Sequence, residues 1–467
     1  MRAQRAVLCW GMLGAATGFL LVGVSRAADE VGGEWQLTFS PISKLLDNND
    51  NFSKDNRFLV FDTRDTVGTG IGNGTMIMKV SVSTGLENVI YAPTPVLTGP
   101  QAAPGLGAAS YSPVEDLAVF IHGPFVSETP VRGFYRTTNR LGGVVWADGS
   151  GDASFLDCRD VTNDPTLPGA HRGGTHRHEF TADGKRIGFT YDDALLTQYP
   201  RNIGYMVAHE KAPCGVGFYA ALLVPLTPPA QSRPGDIERA ADDSWAGVKG
   251  LMRAFIGNVK EPNGTVMSSL FVVDIPENVD ITTADSGTKT RYPSPPKGTT
   301  IRRLTTTPAA GIVRGSLDGT RIAYCATADG VRQVFIINSM GSDQHTDPAM
   351  RPVQATRLEK GASGGLRWHP SGNSIAVQSD NGIAVVCVKP GPLFGKAVWL
   401  TQHGATVPAV EGLVWSRDGK LLAFNRRVPT YDSTGKLVKD AGGKDFRQIF
   451  LVRFPDQDGN GIADPAE

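Results

Sequence analysis

Ser316-Leu317-Asp318-Gly319, followed at once by the apolar run Ile322-Ala323-Tyr324, is the phrase on which the fold turns. Asp-Gly tolerates the positive φ of a tight hairpin turn, and the run after it is too short for a helix, so the phrase reads as a turn feeding a strand. The same phrase recurs. Thr181-Ala182-Asp183-Gly184 precedes Ile187-Gly188-Phe189, and Ser416-Arg417-Asp418-Gly419 precedes Leu421-Leu422-Ala423-Phe424. Ser53-Lys54-Asp55-Asn56 precedes Phe58-Leu59-Val60-Phe61, while Pro370-Ser371-Gly372 leads into Ile375-Ala376-Val377. A degenerate copy, Ser112-Pro113-Val114-Glu115-Asp116, leads into Leu117-Ala118-Val119-Phe120.

Further strands follow in most units, as in Val334-Phe335-Ile336-Ile337, Ile383-Ala384-Val385-Val386, Leu270-Phe271-Val272-Val273 and Ile449-Phe450-Leu451-Val452. Several units close on a Leu-Thr strand, Arg303-Leu304-Thr305 and Trp399-Leu400-Thr401. Repeats of roughly fifty to seventy residues, each a small antiparallel sheet, predict an all-β, β-propeller fold. Seven blades are expected, beginning near residues 49, 106, 170, 245, 310, 362 and 410, with six or eight as alternatives. The last unit lacks a Leu-Thr strand, and Trp35-Gln36-Leu37-Thr38-Phe39 stands alone, so the N-terminal strand is expected to complete the last blade. Such closure hides the sheet edges an open array would leave. Polar residues 227–243, with a short helix expected around Asp236 to Ala241, and the Pro-containing residues 276–300 read as long loops.

Composition narrows the setting. Gly 55 and Pro 31 in 467 residues suit many turns. Lys+Arg 46 against Asp+Glu 46 gives no global field for nucleic acid or an anionic membrane, and neither partner is expected. Arg2 and Arg5 precede an apolar run from Ala6 to Val24 that ends in Ser25-Arg26-Ala27, which reads as a signal peptide, residues 1–27. The expected product is periplasmic or secreted, a monomer with no stable membrane insertion after cleavage. It comprises a propeller domain, 28–454, and an acidic tail, 455–467. Cys158, Cys214, Cys325 and Cys387 are too few for a disulfide framework, though one bridge between distant loops is left open. Cys325 and Cys387 lie in strand-like runs and read as buried.

Two clusters could carry chemistry. In His176-Arg177-His178-Glu179-Phe180, an extended backbone would put His176 and His178 on one side, near the channel mouth, and His122 ends a matching strand one blade earlier. Three imidazoles would suit Mn, Fe, Ni or Zn; the alternative is that they bond backbone carbonyls in a polar channel. The tail Asp456-Gln457-Asp458-Gly459-Asn460-Gly461-Ile462-Ala463-Asp464-Pro465-Ala466-Glu467 has the spacing of an EF-hand loop. Asp456, Asp458, Asn460, Asp464 and Glu467 would offer side-chain oxygens and Ile462 its carbonyl, to Ca2+ held on the order of 0.1 to 1 mM. The alternative is an unstructured acidic tail. Among the tryptophans, Trp368, Trp399 and Trp415 lie in repeat strands and read as core, while Trp146 and Trp245 read as core or as a sugar-stacking surface.

The phrase Ser-x-Asp-Gly with Gln333-Val334-Phe335-Ile336-Ile337-Asn338-Ser339-Met340-Gly341-Ser342 resembles the repeat of TolB-type bacterial propellers over nearly the whole mature chain. Phe61-Asp62-Thr63-Arg64, Phe120-Ile121-His122-Gly123-Pro124, Arg172-Gly173-Gly174-Thr175-His176-Arg177-His178, Phe189-Thr190-Tyr191-Asp192-Asp193 and Arg201-Asn202-Ile203-Gly204 resemble an uncharacterised TolB-like group, a domain of unknown function. The polar residues of these phrases, Asp62, Arg64, Arg172, Asp192 and Arg201 with the three histidines, are expected to meet at a ligand-binding channel mouth. The stretch His176 to Lys185 also resembles the metal-binding repeat of oligogalacturonate lyases, seven-bladed propellers with histidine-ligated manganese, although Gly173 stands where that family has Gln. In a lyase, Arg172 and Arg177 would neutralise a substrate carboxylate. The leading expectation is therefore a binding or scaffold module for a protein, peptide or glycan ligand. The alternative is a metal-dependent lyase or hydrolase acting on acidic polysaccharide.

Overall fold

The computed structural model describes residues 33–46, 50–65 and 70–464; the leader, residues 1–27, and Glu467 lie outside the described residues. Seven antiparallel sheets form the blades of a propeller. Blade 2 runs Leu106–Tyr111, Leu117–His122, Leu141–Trp146, Ser154–Phe155, and blade 3 runs Gly173–Phe180, Arg186–Asp193, Asn202–Ala208, Phe218–Leu222. Blades 4 to 6 repeat the plan with inner strands Ile237–Ala246, Ala310–Gly315 and Leu366–Trp368. Blade 1 has three strands, Phe58–Asp62, Ile77–Ser81 and Glu87–Tyr91, and isolated bridges Leu45 to Asp62 and Phe52 to Leu59 stand in for its inner strand.

The repeated phrase is a hydrogen-bonded device. In each full copy the hydroxyl donates to the Asp two residues on, at 2.7 Å for Ser53–Asp55, 2.6 Å for Thr181–Asp183, 2.5 Å for Ser316–Asp318 and 2.6 Å for Ser416–Asp418. The same hydroxyl accepts the amide five residues on, as Arg321 N to Ser316 Oγ at 3.0 Å, which closes the hairpin. Asn56, Gly184, Gly319, Gly372 and Gly419 all have positive φ, which is why Asp is followed by Gly or Asn.

Blade 7 consists of Glu411–Trp415, Leu421–Arg427, Arg447–Arg453 and, outermost, Glu34–Gln36. Glu34, Trp35 and Gln36 pair with Val452, Leu451 and Phe450, so the N-terminal strand closes the ring as expected. Thr38 shows why this strand belongs here. Its Oγ1 accepts the Ile449 amide at 2.9 Å, as Thr305 accepts Leu270 at 3.0 Å and Thr401 accepts Ile383 at 2.9 Å in the blades that carry their own Leu-Thr. Around the closure Leu37, Leu59, Phe61, Val414 and Leu451 are buried together. Each buried aliphatic or aromatic side chain there contributes about 1.5–3 kcal/mol.

One local expectation is corrected. Asp236 to Ala241 is not helical: Ile237–Ala246 is the inner strand of blade 4, which therefore begins before residue 245. Its pairing shifts between Ile237 and Arg239 and again between Ala241 and Ser244. These irregularities space the buried residues Ile237, Ala240 and Ala241 like a helix face. Residues 276–300 are largely loop, holding the short 3-10 turn Ile281–Thr283.

Cys158 and Cys214 form a disulfide that ties the blade 2–3 connection to the loop before Phe218–Leu222. Cys325 and Cys387 are free and buried. No helix among the described residues is long and apolar enough to cross a membrane.

Candidate functional site

The inner strands run from an entry face to the face carrying the Asp-Gly turns, and most are kinked on the way. Ala108, Arg177, Asp242, Gly311 and Gly412 have positive φ inside the inner strands of blades 2, 3, 4, 5 and 7, each at a break in pairing register. A bulge adds one residue and re-aims the side chains beyond it.

The bulge at Arg177 decides how the histidines are used. Thr190 pairs with His176 and Gly188 with Glu179, so the chain between them is not regularly extended. The His176 imidazole contacts the Thr190 hydroxyl, at 2.8 Å from Nε2, whereas His178 Nε2 lies 3.1 Å from Thr175 Oγ1. Burial, with the nearby Arg140 and Arg201 charges, keeps His176 well below its ordinary range. Burial also takes His178 down to about 4. Asp157 anchors this corner: His171 Nε2 is 3.0 Å away, the Thr175 hydroxyl donates at 2.5 Å, and the Gly142 amide donates at 2.8 Å.

His122 is on the other side of blade 2. Its Nδ1 donates to the Gly123 carbonyl at 2.5 Å, so Nε2 accepts from the Tyr91 hydroxyl at 2.9 Å, and Phe125 and Phe155 pack on the ring. Burial lowers it to about 4. Adjacent strand residues report the separation: a Cβ on Gly142 would meet His178 Nε2 at 2.9 Å, and one on Gly143 would meet His122 Cβ at 3.2 Å. Neighbours in a strand face opposite ways, so His122 and His178 are held apart by the sheet. Among the described residues no three His, Cys, Asp or Glu side chains group so as to hold a metal ion.

The charged residues of the entry face are paired with each other. Arg64 Nε donates to Asp62 at 2.6 Å and Nη2 at 2.9 Å, both residues fully buried, and Asp62 also accepts the Ala108 amide at 2.8 Å. Arg172 donates to Asp193 at 2.9 Å and to the carbonyls of Thr288 and Arg291, fastening the 276–300 loop. Arg201 clamps Asp192 at 3.1 and 2.8 Å, and Arg140 reaches the same carboxylate at 3.5 Å. These contacts hold inner-strand starts to second-strand ends. Only the Asp192 and Arg201 side chains remain partly accessible.

At the turn face the channel opens into a cavity of ≈ 290 Å3 lined by every blade but the second. The corresponding position near the end of the inner segment is aromatic in six blades: Phe52, Tyr111, Phe180, Trp245, Trp368 and Trp415. Three of them staple blade to blade. Trp245 Nε1 donates to the Glu179 carbonyl at 2.9 Å, Trp368 to Arg314 at 2.9 Å and Trp415 to Arg367 at 3.3 Å. Blade 5 has Gly315 instead, whose missing Cβ would lie 2.3 Å from the Trp245 carbonyl oxygen. Trp146 is 55% exposed on the blade 2 surface.

Just ahead of these aromatics stand the channel charges. Arg253 Nε donates to Asp243 at 2.6 Å and Nη1 to Glu179 at 3.3 Å, with the guanidinium 4.5 Å from the Trp245 ring centroid. It occupies space that only Gly188 leaves: a Cβ there would be 1.9 Å from Arg253 Nη1. Arg314 is 4% exposed and donates from Nη1 to the Val313 carbonyl at 2.9 Å, while Nε and Nη2 have no hydrogen-bond partner among the described residues. Arg367 repeats the fold-back one blade on, donating to Leu366 at 3.0 Å. Neither Arg314 nor this cavity stood out in the motif reading. The signal was positional, since Arg314 and Arg367 occupy the repeat slot that Glu179 fills in blade 3.

Fold and site together define a closed seven-bladed β-propeller with a channel cavity on its turn face. The chain belongs to the same family as the "Uncharacterized protein YidR" of Escherichia coli (strain K12), with which it is 32% identical over 422 residues, 83% of this chain and 94% of the relative. The model of the family described as "Protein of unknown function (DUF3748)" matches residues 105–216, which span blade 2 and the first three strands of blade 3. Among solved structures, that of U3-55K is 12% identical, spans 91% of this chain and 99% of its own, and superposes with TM-score 0.50, a likeness of fold alone. An oligogalacturonate lyase from Vibrio parahaemolyticus is 12% identical over 76% of this chain and 94% of its own, with TM-score 0.41.

Proposed function

We propose that the chain is an exported binding propeller that receives a protein, peptide or glycan segment in the turn-face cavity. The observation that carries this reading is the cavity itself, to which six of the seven blades contribute. Polar groups that converge on a preformed concavity are what a ligand site requires. Export is supported by the leader-like residues 1–27 and by the Cys158–Cys214 disulfide, a bond that persists in oxidising compartments. Entry-face residues Asp62, Arg64 and Arg172 act in this reading as fasteners, while Asp192 and Arg201 keep partly accessible side chains that could touch a ligand crossing that face.

The tail is proposed to bind calcium. Supporting this, Asp456 accepts the amides of Asn460 at 3.0 Å and Gly461 at 2.7 Å, and the loop is docked on blade 6 by Asn373 and Ser374. Ca2+ there would be held by the oxygens of Asp456, Asp458, Asn460, Ile462 and Asp464.

The test is a peptide and glycan array probed with the full chain and with Leu317→Trp, a change at the exposed rim of the cavity. A ligand bound by the wild type and lost in L317W supports the reading; a ligand held equally by both contradicts it. Metal analysis tests the alternative. One Mn, Fe, Ni or Zn per chain, lost in His176→Ala and His178→Ala, would replace this reading with a metal-dependent lyase or hydrolase on acidic polysaccharide.

A further inference from the structure

Arg314 makes no ion pair among the described residues, and its Nε and Nη2 have no hydrogen-bond partner there. The two carboxylates that face it, Glu179 and Asp243, are both engaged by Arg253, at 3.3 Å and 2.6 Å, with Asp243 Oδ1 left without a hydrogen-bond partner among the described residues. The other charges facing it, Arg367 and Arg177, are of its own sign. A buried cation left so costs several kcal/mol unless something anionic joins it. The residue is only 4% exposed, lines the cavity, and has two guanidinium nitrogens without an acceptor among the described residues. Gly315, the single departure from the aromatic position of the repeat, also lines the cavity.

We propose that the turn-face cavity is a carboxylate site, in which Arg314 receives the carboxylate of the ligand. A planar guanidinium with two unspent donors matches a carboxylate's two oxygens. A volume of ≈ 290 Å3 limits the enclosed part to one sugar acid or a C-terminal residue or two of a peptide. This proposal rests on the binding reading above and names the chemistry of its ligand.

Isothermal titration of the full chain decides it, using digalacturonate beside its methyl ester and the dipeptide Gly-Phe beside its amide. One acid is expected to bind, its neutral partner about tenfold or more weaker, and Arg314→Met is expected to lose the same factor. Which acid binds identifies the source of the carboxylate. Arg314→Lys, which keeps the charge but not the fork, is expected to fall between. Unfolding curves of both variants verify that they fold. Equal affinity for acid and neutral form, unchanged affinity in folded R314M, or failure of both acids to bind overturns the carboxylate assignment. In each of those cases an array ligand lost in L317W leaves the binding reading standing, so the two fail separately.

Discussion

The two ends of the channel spend their arginines differently. On the entry face Arg64 and Arg172 are fully buried and matched to Asp62 and Asp193, and Arg201 is clamped to Asp192. On the turn face Arg314 is almost as deeply buried, yet Glu179 and Asp243 are engaged by Arg253. The first arrangement fastens neighbouring strands. The second retains an unmatched charge beside a cavity, and an unmatched buried charge is how a site is distinguished from a fastener.

This contrast can be broken by substitution. Arg64→Met strips the buried Asp62 of its cation and is expected to cost about 3–5 kcal/mol of unfolding free energy in urea melts. Gly188→Ala is expected to cost about 3 kcal/mol, because the new methyl would displace the Arg253 guanidinium from Glu179 and Asp243. If either variant melts like the wild type, the paired arginines are not fasteners.

The histidines sharpen the same comparison through pH. His122 and His178 are held near 4 by burial, below the 6.5 of an unfolded chain. The unfolded state therefore binds more protons between those values, so stability is full above about pH 6.5 and is lost as pH falls toward 4. The loss is on the order of 3 kcal/mol per imidazole at most. A His122→Gln/His178→Gln double variant is expected to show a flatter decline between pH 6.5 and 4; an equal slope would mean that these rings do not set it. A smaller effect belongs to the tail. Millimolar calcium is expected to raise the melting temperature of the wild type by a degree or two, and not that of Asp456→Asn/Asp458→Asn.

Much of this was legible in residue order. Ser/Thr-x-Asp-Gly specified a turn because hydroxyl, carboxylate and positive-φ residue are all local, and Thr38 specified closure because it repeats the bonding of Thr305 and Thr401. The site was less legible. One bulge at Arg177 takes His176 and His178 to different hydroxyls, and a bulge leaves no mark in a non-glycine sequence. The polar loop reading of residues 227–243 failed for the same reason at Asp242. Arg314 drew no attention because arginine is unremarkable until its would-be partners prove to be engaged elsewhere.

The smallest expected change is the most telling. The unfolding free energy of Arg314→Met, measured in urea without ligand, should equal that of the wild type or exceed it by about 1 kcal/mol, since the substitution removes a buried charge with no partner to strand. A loss of 3 kcal/mol or more, the figure expected for Arg64→Met, would mean that Arg314 is one more fastener and that the turn-face cavity has no charge in reserve for a ligand.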